Sequence, residues 1–255
     1  MSQAAAGQGA MLSVVIPAYN EEPRILNSLH RIAAYLEGTD RPHEILVVDD
    51  GSTDGTARVV RDFAADCAAC RLLRNAVNRG KGAAVRRGAL AAAGDFILMS
   101  DADLSTPIEE VEKLLRLMAE KEGDVAVGSR SLFLSDVRVR QPLLRQSMGR
   151  LFNVFVRTLV LRGIQDTQCG FKCFTRRAAR VIFARQRIDG FCFDVETLLI
   201  ARRSGLRVLE VPVVWIDSPD SRVHIVAAPA RMFVDLLRIV LAEWQGRYDP
   251  RRRDG

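Results

Sequence analysis

Asp95-Phe96-Ile97-Leu98-Met99-Ser100-Asp101-Ala102-Asp103 carries an apolar run straight into two carboxylates separated by one small residue. An uninterrupted apolar run marks a strand buried on both faces, as parallel strands are. Open α/β sheets place ligands at the carboxyl ends of their strands. An Asp-x-Asp at such an end can hold a hard divalent cation through its oxygens, and the cation can in turn hold a diphosphate. The same short pattern also fits a solvated turn, so its meaning depends on its surroundings.

Outward from it, strands and helices alternate. Leu12-Ser13-Val14-Val15-Ile16-Pro17 reads as a first buried strand, followed by the loop Ala18-Tyr19-Asn20-Glu21-Glu22, in which Asn20 is placed to cap a helix. Ile25, Leu29, Ile32, Ala33 and Leu36 then recur at helical spacing. Glu44-Ile45-Leu46-Val47-Val48 reads as a second strand ending in Asp49-Asp50-Gly51-Ser52, with a helix running on to Ala68. Arg71-Leu72-Leu73 is a third strand, and the basic loop Asn78-Arg79-Gly80-Lys81-Gly82 opens a helix over 83–92. Thr106-Pro107-Ile108-Glu109-Glu110 has the signature of a capped helix start, with Thr106 at the N-cap and Glu109 three residues on. Val125-Ala126-Val127 is a further strand, ending in Gly128-Ser129-Arg130. The alternation predicts an α/β fold with a mostly parallel central sheet, right-handed crossovers and helices on both faces. The acidic loops 17–22, 49–52 and 101–105 then converge on one sheet edge. The basic loop 79–82 and Arg130 face the same edge, where they can balance phosphate charge. That combination suits a nucleotide and a metal.

The chain has 255 residues, of which 48% are hydrophobic, enough for one large domain with or without an appended lobe. The net charge of +6 points to an anionic partner. Nucleic acid is excluded, because aromatic residues make up only 6% and form no stacking pattern. The five cysteines read as reduced thiols of a cytoplasmic protein. Gly80-Lys81-Gly82 is no P-loop, since Asn75 and Gly82 stand where that motif needs Gly and Ser or Thr. No Gly-x-Gly-x-x-Gly follows the first strand, which excludes a dinucleotide cofactor. His30, His43 and His224 have no metal-ligand spacing. Residues 1–11 read as a disordered leader. No run is apolar enough for a transmembrane helix.

The later half has a different character. Residues 137–165 hold six arginines and no acid, with Met148, Leu151, Phe152, Phe155 and Leu159 at helical spacing. That is a basic amphipathic helix, packed either on the core or against an anionic lipid surface. Asp166-Thr167-Gln168-Cys169-Gly170-Phe171-Lys172 leads into a short strand, and Phe193-Asp194-Val195-Glu196 opens a helix to Arg203. Asp194 or Glu196 is either a general base for a hydroxyl acceptor or part of an acid pair favoured by the helix dipole. A strand over 206–214 follows. A second amphipathic helix over 230–244 then puts Phe233, Leu236, Leu237, Val240 and Trp244 on one face, ahead of a disordered basic tail from Arg247 to Arg253.

Val15-Ile16-Pro17-Ala18-Tyr19-Asn20-Glu21, Val47-Val48-Asp49-Asp50-Gly51-Ser52, Asn78-Arg79-Gly80-Lys81-Gly82, Asp101-Ala102-Asp103 and Gly128-Ser129-Arg130 together resemble family 2 glycosyltransferases. Asp166-Thr167-Gln168-Cys169-Gly170-Phe171-Lys172 and Phe193-Asp194-Val195-Glu196 narrow the resemblance to the dolichyl- or polyprenyl-phosphate branch, particularly the β-glucosyltransferases, with the mannosyltransferases as its relatives. The resemblance implies a Rossmann-like GT-A fold over 12–216, with amphipathic membrane-facing helices at 137–165 and within 217–255. It implies that Pro17, Ala18, Tyr19, Glu21, Asp49, Asp50, Lys81, Asp101 and Ala102 surround the nucleotide. Asp101 and Asp103 would hold Mg²⁺ or Mn²⁺ on the donor diphosphate. Arg130, Arg138, Arg140 and Arg145 would hold donor or acceptor phosphate. Asp194 joins Asp101, Asp103 and Arg130 as a candidate catalytic residue. In the mannosyl branch a Gln two positions after the second Asp assists the metal, and this chain has Ser105 there.

The expected reaction is inverting transfer of a hexose, glucose from UDP-glucose first and mannose from GDP-mannose second, to dolichyl or polyprenyl phosphate. Transfer to a soluble or polysaccharide hydroxyl is an alternative, and a nucleotide-binding adaptor at a membrane surface is the non-enzymatic one. The expected place of work is peripheral, on anionic lipid at the cytoplasmic inner face of a membrane.

Overall fold

The computed structural model describes residues 9–132, 135–137, 155–156, 160–161, 163–216 and 227–249. In chain order the elements are β1 Leu12–Ala18, α1 Ile25–Glu37, β2 His43–Asp49, α2 Thr56–Asp66, β3 Cys70–Arg74, α3 Lys81–Ala91, β4 Phe96–Ser100, a 3₁₀ turn Ile108–Glu110, α4 Val111–Glu120, β5 Val125–Ser129, β6 Asp136–Val137, β7 Phe171–Thr175, α5 Arg176–Arg185, α6 Phe193–Arg203, β8 Val208–Pro212, β9 Val214–Trp215 and α7 Ala227–Trp244. The seven-stranded sheet runs β3-β2-β1-β4-β7-β5-β8, and β6 pairs with β9 beside it. The predicted α/β class with a mostly parallel sheet is the one observed.

Side-chain alternation explains why both faces are covered. Val14 and Ile16 of β1, Ile45 and Val47 of β2, and Phe96 and Leu98 of β4 enter a core with α1, α2 and α4. Their neighbours Val15, Leu46, Val48, Ile97 and Met99 enter a second core with α3, α5, α6 and α7. Every residue of β1, β4 and β5 is buried, so their apolar runs need no polar alternation.

One strand runs against the rest. β7 is antiparallel to both β4 and β5. α1, α2, α3 and α4 each carry the chain back across a sheet face between parallel strands. The segment after β5 instead re-enters the sheet from the carboxyl edge it left, so β7 must run backwards. Its leading loop, 166–170, therefore lies at the carboxyl ends of β4 and β5, among the acidic loops.

Local expectations fail at three places. Asn20 does not cap α1. Its φ is 55° and its Oδ1 accepts instead from the Thr53 amide at 2.9 Å, tying two loops together. The 3₁₀ turn at Ile108 has Pro107 before it and no side-chain cap, so the Thr106 capping box does not form. Arg247 to Asp249 of the tail are ordered, because Tyr248 is buried at 1% exposure and its hydroxyl donates to Glu196 at 2.8 Å. A further shift concerns α7. Leu236 and Ile239 face the core, while Phe233, Val234, Leu237, Leu241 and Trp244 are exposed, so the single apolar face expected there is split in two.

Gly88 of α3 sits where a Cβ would collide with Val15 and press on Val48. Gly88→Val should lower the unfolding free energy by about 1–3 kcal/mol or more, read as a lower urea midpoint with an unchanged m-value.

Candidate active site

The first two acidic loops build the floor of the carboxyl edge. Asp49 is fully buried. One oxygen accepts from the Ser52 amide at 3.0 Å, and the other lies 3.0 Å from Arg74 Nε without hydrogen-bond alignment. Asp50 accepts from Asn75 Nδ2 at 2.6 Å and from the amides of Arg79 and Gly80, the latter at 2.7 Å. Two carboxylates expected around the nucleotide are thus engaged by backbone amides and by the side chains of Arg74 and Asn75. Asp50 shapes the basic loop rather than offering free oxygens. Gly51 makes this approach possible: its φ is +73°, and it packs against the Val77–Asn78 backbone where no Cβ fits. Pro17 and Ala18 are buried at the end of β1, whereas Tyr19 is 44% exposed. Glu21 is paired with Arg24. Ala102 is buried and its carbonyl accepts from Ser28 Oγ at 2.6 Å, which fixes the Asp-x-Asp turn to α1.

Above this floor lies a row of alternating charge. Lys81, the first residue of α3, places Nζ 2.6 Å from Asp101 Oδ1. Asp194, at the start of α6, pairs with Lys172 of β7 at 2.5 Å, and Lys172 also donates to the Cys169 carbonyl at 2.6 Å. Lys172 and Asp194 are both buried. Burial pulls the Lys81 ammonium toward its neutral form, but the field of Asp101, then Asp194, outweighs it and raises the pKa, so Lys81 stays charged. Burial pushes the Asp194 carboxyl up. Lys172 and Lys81 pull it back in part, and the net direction is upward. Gly170 leans on Asp101 so closely that any side chain there would displace the carboxylate.

Asp103 is half-buried, with Oδ1 accepting from the Ser105 amide at 3.0 Å across Leu104, whose φ is 48°. Ser105 contributes its backbone amide here and lines the cleft beside the turn. A hard divalent cation suits this place: both acids are partly exposed oxygen donors on one turn. No set of three or more His, Cys, Asp or Glu that could hold a metal exists among the described residues. Two carboxylates with the remaining positions left to phosphate oxygens and water is the ligation Mg²⁺ prefers.

Arg130 is held before it meets any ligand. Its Nε and Nη2 donate to Asp166 at 2.7 and 2.9 Å, its amide donates to the same carboxylate at 3.0 Å, and its guanidinium lies 5.5 Å from the Trp215 ring centre. Burial pushes the Asp166 carboxyl up, but the Arg130 charge and hydrogen bonds outweigh this and hold it below the ordinary 3.8. Ser100, Asp101, Ser105, Thr106, Gly170, Phe171 and Trp215 line a small cleft beside the Asp-x-Asp turn. Arg138, Arg140 and Arg145 lie outside the described residues. Glu196 accepts from the amides of Arg187 and Ile188 and from Tyr248, so it supports a loop rather than a base's role.

The structure thus brings together Lys81, Asp101, Asp103, Arg130 and Asp194 from the predicted set. It adds Asp166, Lys172, Gly170 and Trp215. Of these only the buried positions of Asp166 and Lys172 had a sequence signal, their place in one polar stretch otherwise flanked by apolar runs.

Lys172→Met should cost about 3–5 kcal/mol by stranding a buried carboxylate, and Lys172→Met/Asp194→Leu should recover most of it in urea denaturation. For Asp166 the folded pKa is the lower one. The stability from its pair with Arg130 is complete above the unfolded value of 3.8 and is lost as pH falls through the depressed folded value. Asp166→Asn should therefore flatten that part of the acid limb of a stability–pH profile.

The sequence profile of Glycosyl transferase family 2 matches residues 13–183. A dolichyl-phosphate beta-glucosyltransferase of Trichomonas vaginalis is 41% identical over 89% of this chain and 70% of its own length. The human protein of that name is 35% identical over 90% of this chain and 75% of its own. Among solved structures, Mycobacterium tuberculosis glucosyl-3-phosphoglycerate synthase with Mn²⁺, UDP-glucose and phosphoglyceric acid superposes with a TM-score of 0.70 at 20% identity, covering 93% of this chain and 82% of the other. Mannosyl-3-phosphoglycerate synthase from Rubrobacter xylanophilus gives 0.68 at 21%, covering 96% and 78%. Those two likenesses speak for the fold. With the profile spanning most of the chain and relatives this similar over nine-tenths of it, the chain belongs to glycosyl transferase family 2.

Proposed function

We propose that this glycosyltransferase moves glucose from UDP-glucose to a dolichyl or polyprenyl phosphate with inversion at the sugar. The observation that carries the reading is the Lys81–Asp101 pair at the carboxyl edge, with Asp103 on the same turn and Arg130 held nearby. Cationic side chains there bind a diphosphate, and two carboxylates hold the cation that accompanies it. The choice of glucose and of a lipid phosphate follows the named activity of the relatives at 35–41% identity.

In the reaction an oxygen of the acceptor phosphate attacks C1 of glucose, the bond from C1 to the UDP oxygen breaks, and UDP leaves with that bond's electrons. A bound divalent cation, Mg²⁺ or Mn²⁺ on Asp101 and Asp103, supplies stabilisation of the charge on the leaving diphosphate. Lys81 contributes to the same stabilisation from the start of α3, whose N-terminal dipole adds to it. A phosphate acceptor is already anionic, with a second pKa of roughly 6, so no proton has to be removed from it. This agrees with a site in which Asp194 is bonded to Lys172 and Glu196 to backbone amides. Arg130 and the basic segment bearing Arg138, Arg140 and Arg145 are assigned to the acceptor phosphate.

No helix among the described residues is long and apolar enough to cross a membrane. We place the enzyme peripherally at the cytoplasmic face, in keeping with its free cysteines. The exposed row Phe233, Leu237, Leu241 and Trp244 on α7 recurs at helical spacing, with Arg231 and Arg247 exposed nearby, and is assigned to anionic lipid.

Incubation with labelled UDP-glucose, Mg²⁺ or Mn²⁺ and polyprenyl phosphate should give lipid-extractable label, and label from GDP-mannose should be far weaker. Absence of extractable label with either donor would sink the proposal. Asp103→Ala should lower kcat/KM about 10²-fold or more, as loss of a group stabilising the leaving charge does. Leu237→Glu/Trp244→Glu should lower flotation with anionic vesicles while leaving UDP binding unchanged.

A further inference from the structure

The basic loop is supported from behind by residues 186–190. Gly80 and Gly82 run so close to the carbonyls of Asp189 and Ile188 that a Cβ at either would collide with them. The Ala83 amide donates to the Asp189 carbonyl at 3.2 Å. Gln186 Nε2 donates to the carbonyls of Gly82 and Ile188 at 2.9 and 2.8 Å. Arg79 pairs with Asp189 at 3.2 Å. Lys81 lies between the two glycines, so its position is set by this second loop.

Glu196 in turn holds that loop. Its carboxylate accepts from the Ile188 amide at 2.8 Å and the Arg187 amide at 3.0 Å, and its remaining capacity is met by the Tyr248 hydroxyl at 2.8 Å. Tyr248 comes 52 residues later, beyond α7. Its ring is buried, so its place in the core is that of any large apolar side chain. Its hydroxyl has a separate task, which is to complete the shell of a buried carboxylate. α7 leans on the same turn: Cys192 Sγ donates to the Met232 carbonyl at 3.4 Å, and a Cβ at Gly190 would meet Asp235 at 3.1 Å. A continuous set of bonds thus runs from the C-terminal turn through Glu196 and loop 186–190 to Gly80, Lys81 and Gly82.

We propose that Tyr248 is a positioning residue for the donor diphosphate, acting through Glu196 and loop 186–190 on the backbone that presents Lys81. The inference rests on the nucleotide-sugar reading above, and it adds a residue from the far end of the chain to the donor site. Loss of the hydroxyl leaves Glu196 under-bonded and releases the loop behind Lys81. The acceptor side, built on Arg130 and Asp166, is untouched.

The test is titration of UDP with Mn²⁺ into the wild-type protein and Tyr248→Phe, alongside steady-state kinetics. A lost hydrogen bond to a charged group predicts UDP binding weaker by roughly fivefold or more. The donor KM should rise in step and kcat should fall, because Lys81 also stabilises the leaving diphosphate, while the acceptor KM stays within about twofold. A lower Tm with unchanged UDP affinity would make Tyr248 a packing residue and overturn the proposal. Should Tyr248→Phe fold poorly, Gln186→Met removes the direct tie to Gly82 without touching Glu196 and should show the same selective loss. Unchanged UDP affinity in folded Gln186→Met would equally overturn it. A wild-type protein that binds no UDP would instead remove the nucleotide reading, and the proposal with it.

Discussion

The carboxyl edge of this sheet depends on a row of charges that cannot be dismantled one at a time. Asp101, Lys81, Asp194 and Lys172 alternate in sign; the Lys172–Asp194 pair is buried and Lys81 is largely covered. A buried charge without a partner is costly, so each member requires the next. The row joins four separate elements: the start of α3, the end of β4, β7 and the start of α6. Its outer end, Asp101 and Lys81, is the part that meets solvent, and these are the groups suited to a metal ion and a diphosphate. The inner end holds them in place, with Asp194 paired to Lys172.

The reversal of β7 makes the row possible. An all-parallel order would carry residues 166–170 to the other edge of the sheet. Entering backwards between β4 and β5, the chain delivers Asp166 to Arg130 and Gly170 to Asp101. Arg130 is thereby oriented by two side-chain hydrogen bonds before a phosphate arrives, so less conformational freedom is lost on binding.

Much of this was legible in the residues. The uninterrupted apolar runs of β1, β2 and β4 and the placing of Asp101, Asp103 and Lys81 at one edge follow from local patterns whose physics is local. The misses among polar groups share one cause. Asn20 and Thr106 are good caps on paper, but Asn20 is drawn to the Thr53 amide and the turn after Thr106 starts as 3₁₀. Tyr248 lies in a basic tail and reads as disordered, because its partner Glu196 is distant in sequence. Each error concerns a polar group whose partner is set by tertiary packing, about which spacing along the chain carries no information.

The site that results is rich in charge stabilisation and poor in free bases. Such a balance suits an acceptor that arrives already ionised, and it suits displacement of a diphosphate from the side opposite the incoming oxygen. The most direct measurement is NMR of the product formed from UDP-glucose and polyprenyl phosphate. A β-linked glucose whose C1 is bonded through oxygen to phosphorus is the predicted result. An α linkage, or glucose attached to a carbon-borne hydroxyl, would contradict it.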